Sequence, residues 1–293
     1  MREPVVLQPR SISALVEALG RATPQSRLIA GGSDLMLHLR QSAQLPDTLI
    51  DLSGVAELQG ICINGTRMHI GAMTRFGEIA ESSAVRQGAA CLAQAAASVG
   101  SMQIRNMATL GGNVANASPC ADAVPALLVL QADVGILNRN GQTERRALTE
   151  VLRAASEDRM PRNEVIVDFS FELLGANLRS AFAKVGARSA VTIAKINAAL
   201  VVECAGSDRV ISRAHAAFGS LGAFGFVDPA CGDLLLGRHL DLDTANLFAQ
   251  ACTDMVDRRI PQRASRPYKR LAIKGIAHDL IANLTPLTKQ ETL

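Results

Sequence analysis

Two stretches of this chain pair glycines with small polar residues. One is Ala30-Gly31-Gly32-Ser33-Asp34-Leu35. The other is Thr109-Leu110-Gly111-Gly112-Asn113, continuing through Val114-Ala115-Asn116-Ala117-Ser118-Pro119. Glycine has no Cβ, so its backbone can take positive φ and come close to a ligand. Successive backbone N–H groups in such a turn form a concavity that binds anions. Ser33, Thr109, Asn113 and Ser118 add side-chain donors suited to phosphate or hydroxyl oxygens. The two loops are therefore expected to hold one pyrophosphate between them, with any helix that follows adding its N-terminal dipole.

The elements around these loops can be read from periodicity. Val5-Val6-Leu7 reads as a strand. Ser11 or Ser13 can cap a helix whose apolar residues Ile12, Leu15, Val16 and Leu19 share a face, with Gly20 at its end. Arg27 to Ala30 is a second strand running directly into Gly31-Gly32, and Thr48 to Leu52 a third, with a helical turn from Asp34 to Arg40 between them. A β-α-β unit with its glycine loop at a strand's C-terminal end is a common ligand position. Asn64-Gly65 between Ile61-Cys62-Ile63 and Met68-His69-Ile70 signals a hairpin, and Thr74 is a candidate cap for the helix after it. An Ala-rich helical pattern from Gln87 to Ser98 precedes the second loop, which is itself expected to be irregular, and Pro125 to Leu130 reads as an apolar helix. A second hairpin around Asn140-Gly141 and a strand from Val165 to Phe171 follow. Gly175-Ala176-Asn177 is the best boundary. Beyond it come strands at Arg179–Lys184, Ile196–Glu203 and Val210–Phe218, a turn at Gly206-Ser207-Asp208, and two helices. Leu247, Phe248, Ala251 and Met255 line one helix; Tyr268, Ala272, Ile276 and Leu280 line the other.

Size and composition narrow the classes. The 293 residues suit one large domain or two modest ones. A net charge of +3, with no basic block interleaved with aromatics, argues against nucleic acid as a partner. No apolar run reaches the ~18 residues of a membrane span. Met1-Arg2-Glu3-Pro4 lacks a signal-peptide core, so a cytoplasmic location is expected. The six cysteines (Cys62, Cys91, Cys120, Cys204, Cys231 and Cys252) are scattered without a C-x-x-C pair. They read as small buried side chains in a reducing compartment rather than as ligands of a cluster or metal. His38, His69, His215, His239 and His278 are isolated, and no catalytic role is assigned.

Four segments in order, spread over nearly the whole chain, resemble the FAD-binding medium subunit of the molybdenum hydroxylases, the group of the xanthine dehydrogenase and carbon monoxide dehydrogenase types. They are Ala30 to Leu35; Gln103-Ile104-Arg105-Asn106 with Thr109 to Asn113, Ala117-Ser118-Pro119 and Asp122; Phe182-Ala183-Lys184 with Arg188 and Ile193-Ala194; and Arg263-Ala264-Ser265 with Tyr268 and Arg270. The resemblance implies an α+β protein. Its FAD-binding domain, residues 1–174, has two α/β subdomains (about 1–56 and 57–174) of the PCMH, or vanillyl-alcohol-oxidase-like, kind. A C-terminal domain, 175–293, holds a three-stranded antiparallel sheet with helices. The resemblance also implies noncovalent FAD on this chain. A small partner subunit carries the [2Fe–2S] clusters and a large one the molybdenum cofactor, and electrons pass through FAD to an external acceptor.

Residue by residue, the resemblance places Ala30, Gly31, Gly32, Ser33, Asp34 and Leu35 on the pyrophosphate, together with Thr109, Leu110, Gly111, Gly112 and Asn113; Ser118 is a further donor. Asp122 matches a carboxylate accepting from the cofactor, and Lys184 a cation tuning the flavin. Ile166 matches a backbone position near the adenine. From the residues alone, Asp122 reads equally as a helix N-cap before Pro125, Lys184 as a solvated strand lysine, and Leu110 as core. Val99 stands where some relatives carry an aromatic, and Thr192 where many carry an acidic residue. A self-contained FAD-dependent oxidoreductase of the same fold is the alternative reading, and a non-enzymatic nucleotide-binding module a third.

Overall fold

The computed structural model describes residues 3–205 and 210–284; the turn expected at Gly206-Ser207-Asp208 lies outside them. The chain forms two compact units. One comprises the chain up to Glu81, Val99–Ser118 and Gln131–Leu173. The other comprises Ser82–Ser98, Pro119–Leu130 and the chain from Leu174 onward. The units thus interleave along the sequence, where a single change-over at Gly175 was expected.

The first unit holds two sheets. Val5–Leu7, Thr48–Asp51 and Arg27–Ile29 form a parallel sheet in that spatial order. The helix Ile12–Gly20 covers it, capped by Ser11, whose Oγ accepts the Ala14 N–H at 3.2 Å. The expected apolar stripe is confirmed in part: Leu15 and Leu19 are fully buried with Ile50, Leu52, Val55 and Leu58. Burial of this stripe, worth roughly 1.5–3 kcal/mol per large side chain, ties the helix to the sheet. The second sheet is antiparallel, in the order Ile61–Asn64, Arg67–Gly71, Glu164–Glu172, Asp133–Asn138, Thr143–Ala147. Both expected hairpins are present, with Gly65 and Gly141 at φ of 61° and 78° as their turns require.

Thr74 does not cap the helix Phe76–Glu81. Its hydroxyl is fully buried, donating to the Gly60 carbonyl and accepting the Gly60 N–H, each at 3.0 Å. Glu78 takes the capping role instead, accepting from the Arg75 N–H.

The second unit is built on an antiparallel sheet in the order Phe226–Val227, Val210–Gly219, Ile196–Ala205, Leu178–Val185. The three expected strands are there, and a two-residue edge strand makes a fourth. Ala181, Ala183, Ile196, Ala198, Leu200 and Val202 face the long helices Leu242–Arg259 and Arg266–Leu284 in one core. The alternate residues face Ala90–Ala97 and Ala123–Val129, two helices drawn from earlier in the chain. This explains the run Ala198-Ala199-Leu200-Val201-Val202, since a strand covered on both faces shows no polar alternation. It also explains the interleaving. Every residue of Ala123–Val129 is buried, so that helix has no face to offer water.

Among the described residues no helix is long and apolar enough to cross a membrane. Cys91, Cys231 and Cys252 are buried as expected, Cys120 and Cys204 are partly exposed, and Cys62 is exposed.

Candidate functional site

The two glycine loops meet in the first unit. Gly31 passes so close to the second loop that a Cβ on it would lie 1.9 Å from the Met107 carbonyl oxygen. A Cβ on Gly112 would sit 3.0 Å from Thr109 Oγ1 and 3.6 Å from Ala30 Cβ. Gly32 has φ of 66°, a left-handed conformation that suits glycine. These contacts, rather than flexibility, account for the glycines.

The loops differ in what they offer a ligand. The second is the start of a helix, Leu110–Ala115, where an irregular loop was expected. Thr109 caps it, its Oγ1 accepting the Gly112 N–H at 3.2 Å. The Leu110 N–H donates to the Thr74 carbonyl at 3.0 Å, and the Gly111 N–H to Ala72 at 2.8 Å. Gly111 is held there because a Cβ would lie 2.7 Å from Ala72 Cβ. The first N–H groups of this helix are therefore already satisfied. In the first loop, by contrast, the N–H groups of Gly31, Gly32, Ser33 and Asp34 reach no acceptor among the described residues. The unengaged donors belong to Gly31–Asp34, and the second loop packs against them through Gly31 and Gly112.

Both loops line one groove of about 390 Å³. Of the expected site residues, Ala30, Gly31, Gly32, Ser33, Asp34, Leu35, Thr109, Gly111, Gly112, Asn113 and Ile166 line it. Val99 and Ile104 line it too. Leu110 does not; it is fully buried. Ser118 is not in the lining. Asn113 is half-buried, and its buried Oδ1 has no partner among the described residues. An unmet acceptor of this kind is costly unless a further donor arrives.

Sequence reasoning missed the far wall, Met160, Pro161, Arg162, Glu164 and Val165, together with Arg27, Ala72 and Met73. The Pro161 break just before the Glu164–Glu172 strand was the available signal for it. Arg27 and Arg162 bring basic side chains to the groove, Arg162 in an ion pair with Asp158. Glu164 is neutralised by Arg146, which donates to both its oxygens at 2.6 and 3.0 Å. Asp34 has His38 within 3.6 Å.

Asp122 and Lys184 are paired with each other in the second unit. Lys184 Nζ donates to Asp122 Oδ2 at 2.5 Å and to the Ser98 carbonyl at 3.0 Å. Lys184 is 9% exposed at its side chain, so it is not a solvated strand lysine. Asp122 precedes the Ala123–Val129 helix, but its side chain makes no capping bond there. Its other oxygen accepts from Asn197 Nδ2 at 2.8 Å. Burial pushes the Asp122 carboxyl above the usual aspartate value, against the opposing pull of Lys184 and Asn197.

A run of unengaged N–H groups, basic side chains and an unmet buried acceptor in one groove fit a dinucleotide cofactor. The family described as "FAD binding domain in molybdopterin dehydrogenase" matches residues 2–171. The nicotinate dehydrogenase FAD-subunit of Eubacterium barkeri is 28% identical over 260 residues, covering 88% of this chain and 87% of that protein. The xanthine dehydrogenase FAD-binding subunit of Escherichia coli O157:H7 is 26% identical over 261 residues, covering 88% of each. In fold, the chain is similar to quinoline 2-oxidoreductase from Pseudomonas putida 86, with a TM-score of 0.83, 23% identity and 97% of each chain covered. Carbon monoxide dehydrogenase from Hydrogenophaga pseudoflava gives 0.82 at 23% identity, again over 97% of each. With more than half its length matched, the chain belongs to the family of FAD-binding domains of molybdopterin dehydrogenases, the flavoprotein subunits of an oxidoreductase class.

Proposed function

We propose that this chain holds FAD noncovalently and serves as the electron-transfer subunit of a molybdenum-containing hydroxylase. The observation that carries the reading is the cradle of unengaged N–H groups at Gly31–Asp34, set in a groove with Arg27, Arg162 and Asn113. In this reading the Gly31–Asp34 amides bind the pyrophosphate, with the Leu110–Ala115 helix holding them in place through Gly31 and Gly112. Ser33, Thr109 and Asn113 orient hydroxyl-bearing parts of the cofactor, and Ile166 borders the adenine. Lys184, with Asp122 as its counter-ion, supplies fixed positive charge to the flavin site. FAD, when bound, supplies a carrier that accepts electrons and passes them on. A small [2Fe–2S] subunit and a large molybdenum-cofactor subunit are the partners, and an external acceptor takes the electrons.

The test is isolation of the protein from its native host. A flavin spectrum, released FAD, iron, molybdenum and two further polypeptides are the expected result. A purified chain that takes up no FAD would overturn the reading. Flavin with substrate turnover by this chain alone would favour the self-contained oxidoreductase.

A further inference from the structure

Asn197 lies on the Ile196–Ala205 strand and is completely buried. Its Nδ2 donates to Asp122 Oδ1 at 2.8 Å and also faces the Ala121 and Cys120 carbonyls at 3.3 and 3.4 Å. Its Oδ1 has no partner among the described residues. Across the strand pair, Asn197 stands opposite Gly219, where a Cβ would come within 1.9 Å of that oxygen. On its other side it stands opposite Lys184. A leucine of similar size would leave no orphaned oxygen in this core. The amide is retained at that cost, and what it does in return is hold Asp122.

The division of labour around Asp122 is complete. Lys184 takes one carboxylate oxygen and Asn197 the other. The carboxylate cannot rotate without breaking one of these bonds, and both donors favour its ionised form. Lys184 is fixed in turn, between Asp122 and the Ser98 carbonyl at the end of the Ala90–Ala97 helix. We infer that Asn197 is a positioning residue: it holds Asp122 ionised and aimed, and through Asp122 it fixes the Lys184 ammonium that serves the flavin. The flavin part of this inference rests on the function proposed above; the link from Asn197 to Asp122 does not.

Other charges do not compete for the role. The Ala123–Val129 and Ala90–Ala97 helices carry no charged side chain, and their one thiol, Cys91, is buried and held well above the usual thiol range at about 12. From the strands, the Lys184 ammonium is the charge that acts on Asp122. Cys120 precedes it and lies near Lys269. Burial raises the Asp122 carboxyl, and Lys184 and Asn197 pull it back down.

The test is Asn197→Leu, read two ways. Infrared titration follows the protonated-carboxyl band, assigned by its loss in Asp122→Asn. Asp122 is expected to titrate about one pH unit higher in Asn197→Leu, a tenfold gain in proton affinity. FAD binding is expected to weaken about tenfold at neutral pH, more steeply as pH falls. The double variant Asn197→Leu/Asp122→Asn is expected to bind FAD no worse than Asp122→Asn alone. Additive losses, or an unmoved Asp122 titration in folded Asn197→Leu, would overturn the inference. Should the leucine variant not fold, Asn197→Ser, which is smaller and too short to reach Asp122, is expected to move the titration in the same direction; an unmoved titration there also refutes it. If the wild type binds no FAD, the proposed function fails, and the infrared titration still decides the role of Asn197.

Discussion

Replacing Gly31 by alanine should separate loop position from everything else. The added Cβ would lie 1.9 Å from the Met107 carbonyl oxygen, 2.7 Å from its carbonyl carbon and 3.1 Å from Ala108 Cα. All three are backbone atoms, so no side chain can swing aside. Ordinary contact begins at 3.4 Å, so the loops must part by about 1.5 Å. Strain of this kind costs about 1–3 kcal/mol of stability. The larger effect falls on the ligand, because the shift carries the Gly31–Asp34 amides away from the phosphate positions. Two charge-assisted hydrogen bonds lost at about 1.5–3 kcal/mol each amount to about 3–6 kcal/mol, or roughly 10²- to 10⁴-fold in Kd. The assay is FAD titration by fluorescence, alongside denaturant unfolding of the apoprotein. Gly175→Ala is the control, since a Cβ there meets nothing within 4 Å. If Gly31→Ala binds FAD as tightly as Gly175→Ala does, the loop-crossing argument is wrong.

Three further outcomes follow from particular contacts. Asp122→Asn leaves the Lys184 ammonium buried without its counter-charge and should destabilise by about 3–5 kcal/mol in urea unfolding; adding Lys184→Met should recover part of that loss. Gly275 sits exposed inside the Arg266–Leu284 helix with free space around its Cβ position, so Gly275→Ala should stabilise by about 0.5–1 kcal/mol, seen as a raised Tm. Burial, with Arg213 nearby and Asp233 opposing, holds the His215 pKa below the usual histidine value. The unfolded chain therefore binds the proton more readily; the His215 contribution to stability is complete above about pH 6.5 and is lost as pH falls through the folded value. His215→Asn should flatten the stability profile on that acid side.

Local signals carried much of the fold. Asn64-Gly65 and Asn140-Gly141 specify their hairpins by turn chemistry alone. The stripe from Ile12 to Leu19 specifies a helix, and Arg27 to Gly32 reads as strand into glycine turn. What could not be read locally was settled by distant partners. Thr109 to Ala115 looks like a loop because of its glycines, yet it is helical because Ala72 and Thr74 offer carbonyls to its first N–H groups. Thr74 looks like a cap, yet Gly60 occupies its hydroxyl. Lys184 looks solvated because the carboxylate that pairs with it lies 62 residues earlier. The strand Phe226–Val227 is too short to have a period. In the groove, the glycine loops and Ile166 were visible in the sequence; Met160 to Val165 were not, since their place depends on how the Glu164–Glu172 strand docks.

The interleaved units bear on how this protein is made. The chain changes unit at Glu81, Ser98, Ser118, Leu130 and Leu173. A ribosome that has released residues up to Leu173 has delivered the whole first unit but also two helices, Ala90–Ala97 and Ala123–Val129, whose sheet is not yet synthesised. Those apolar surfaces must wait for the strands from Leu178 onward. A truncation at the apparent boundary near Gly175 would strand them permanently, so a gene fragment cut there should yield an aggregating product.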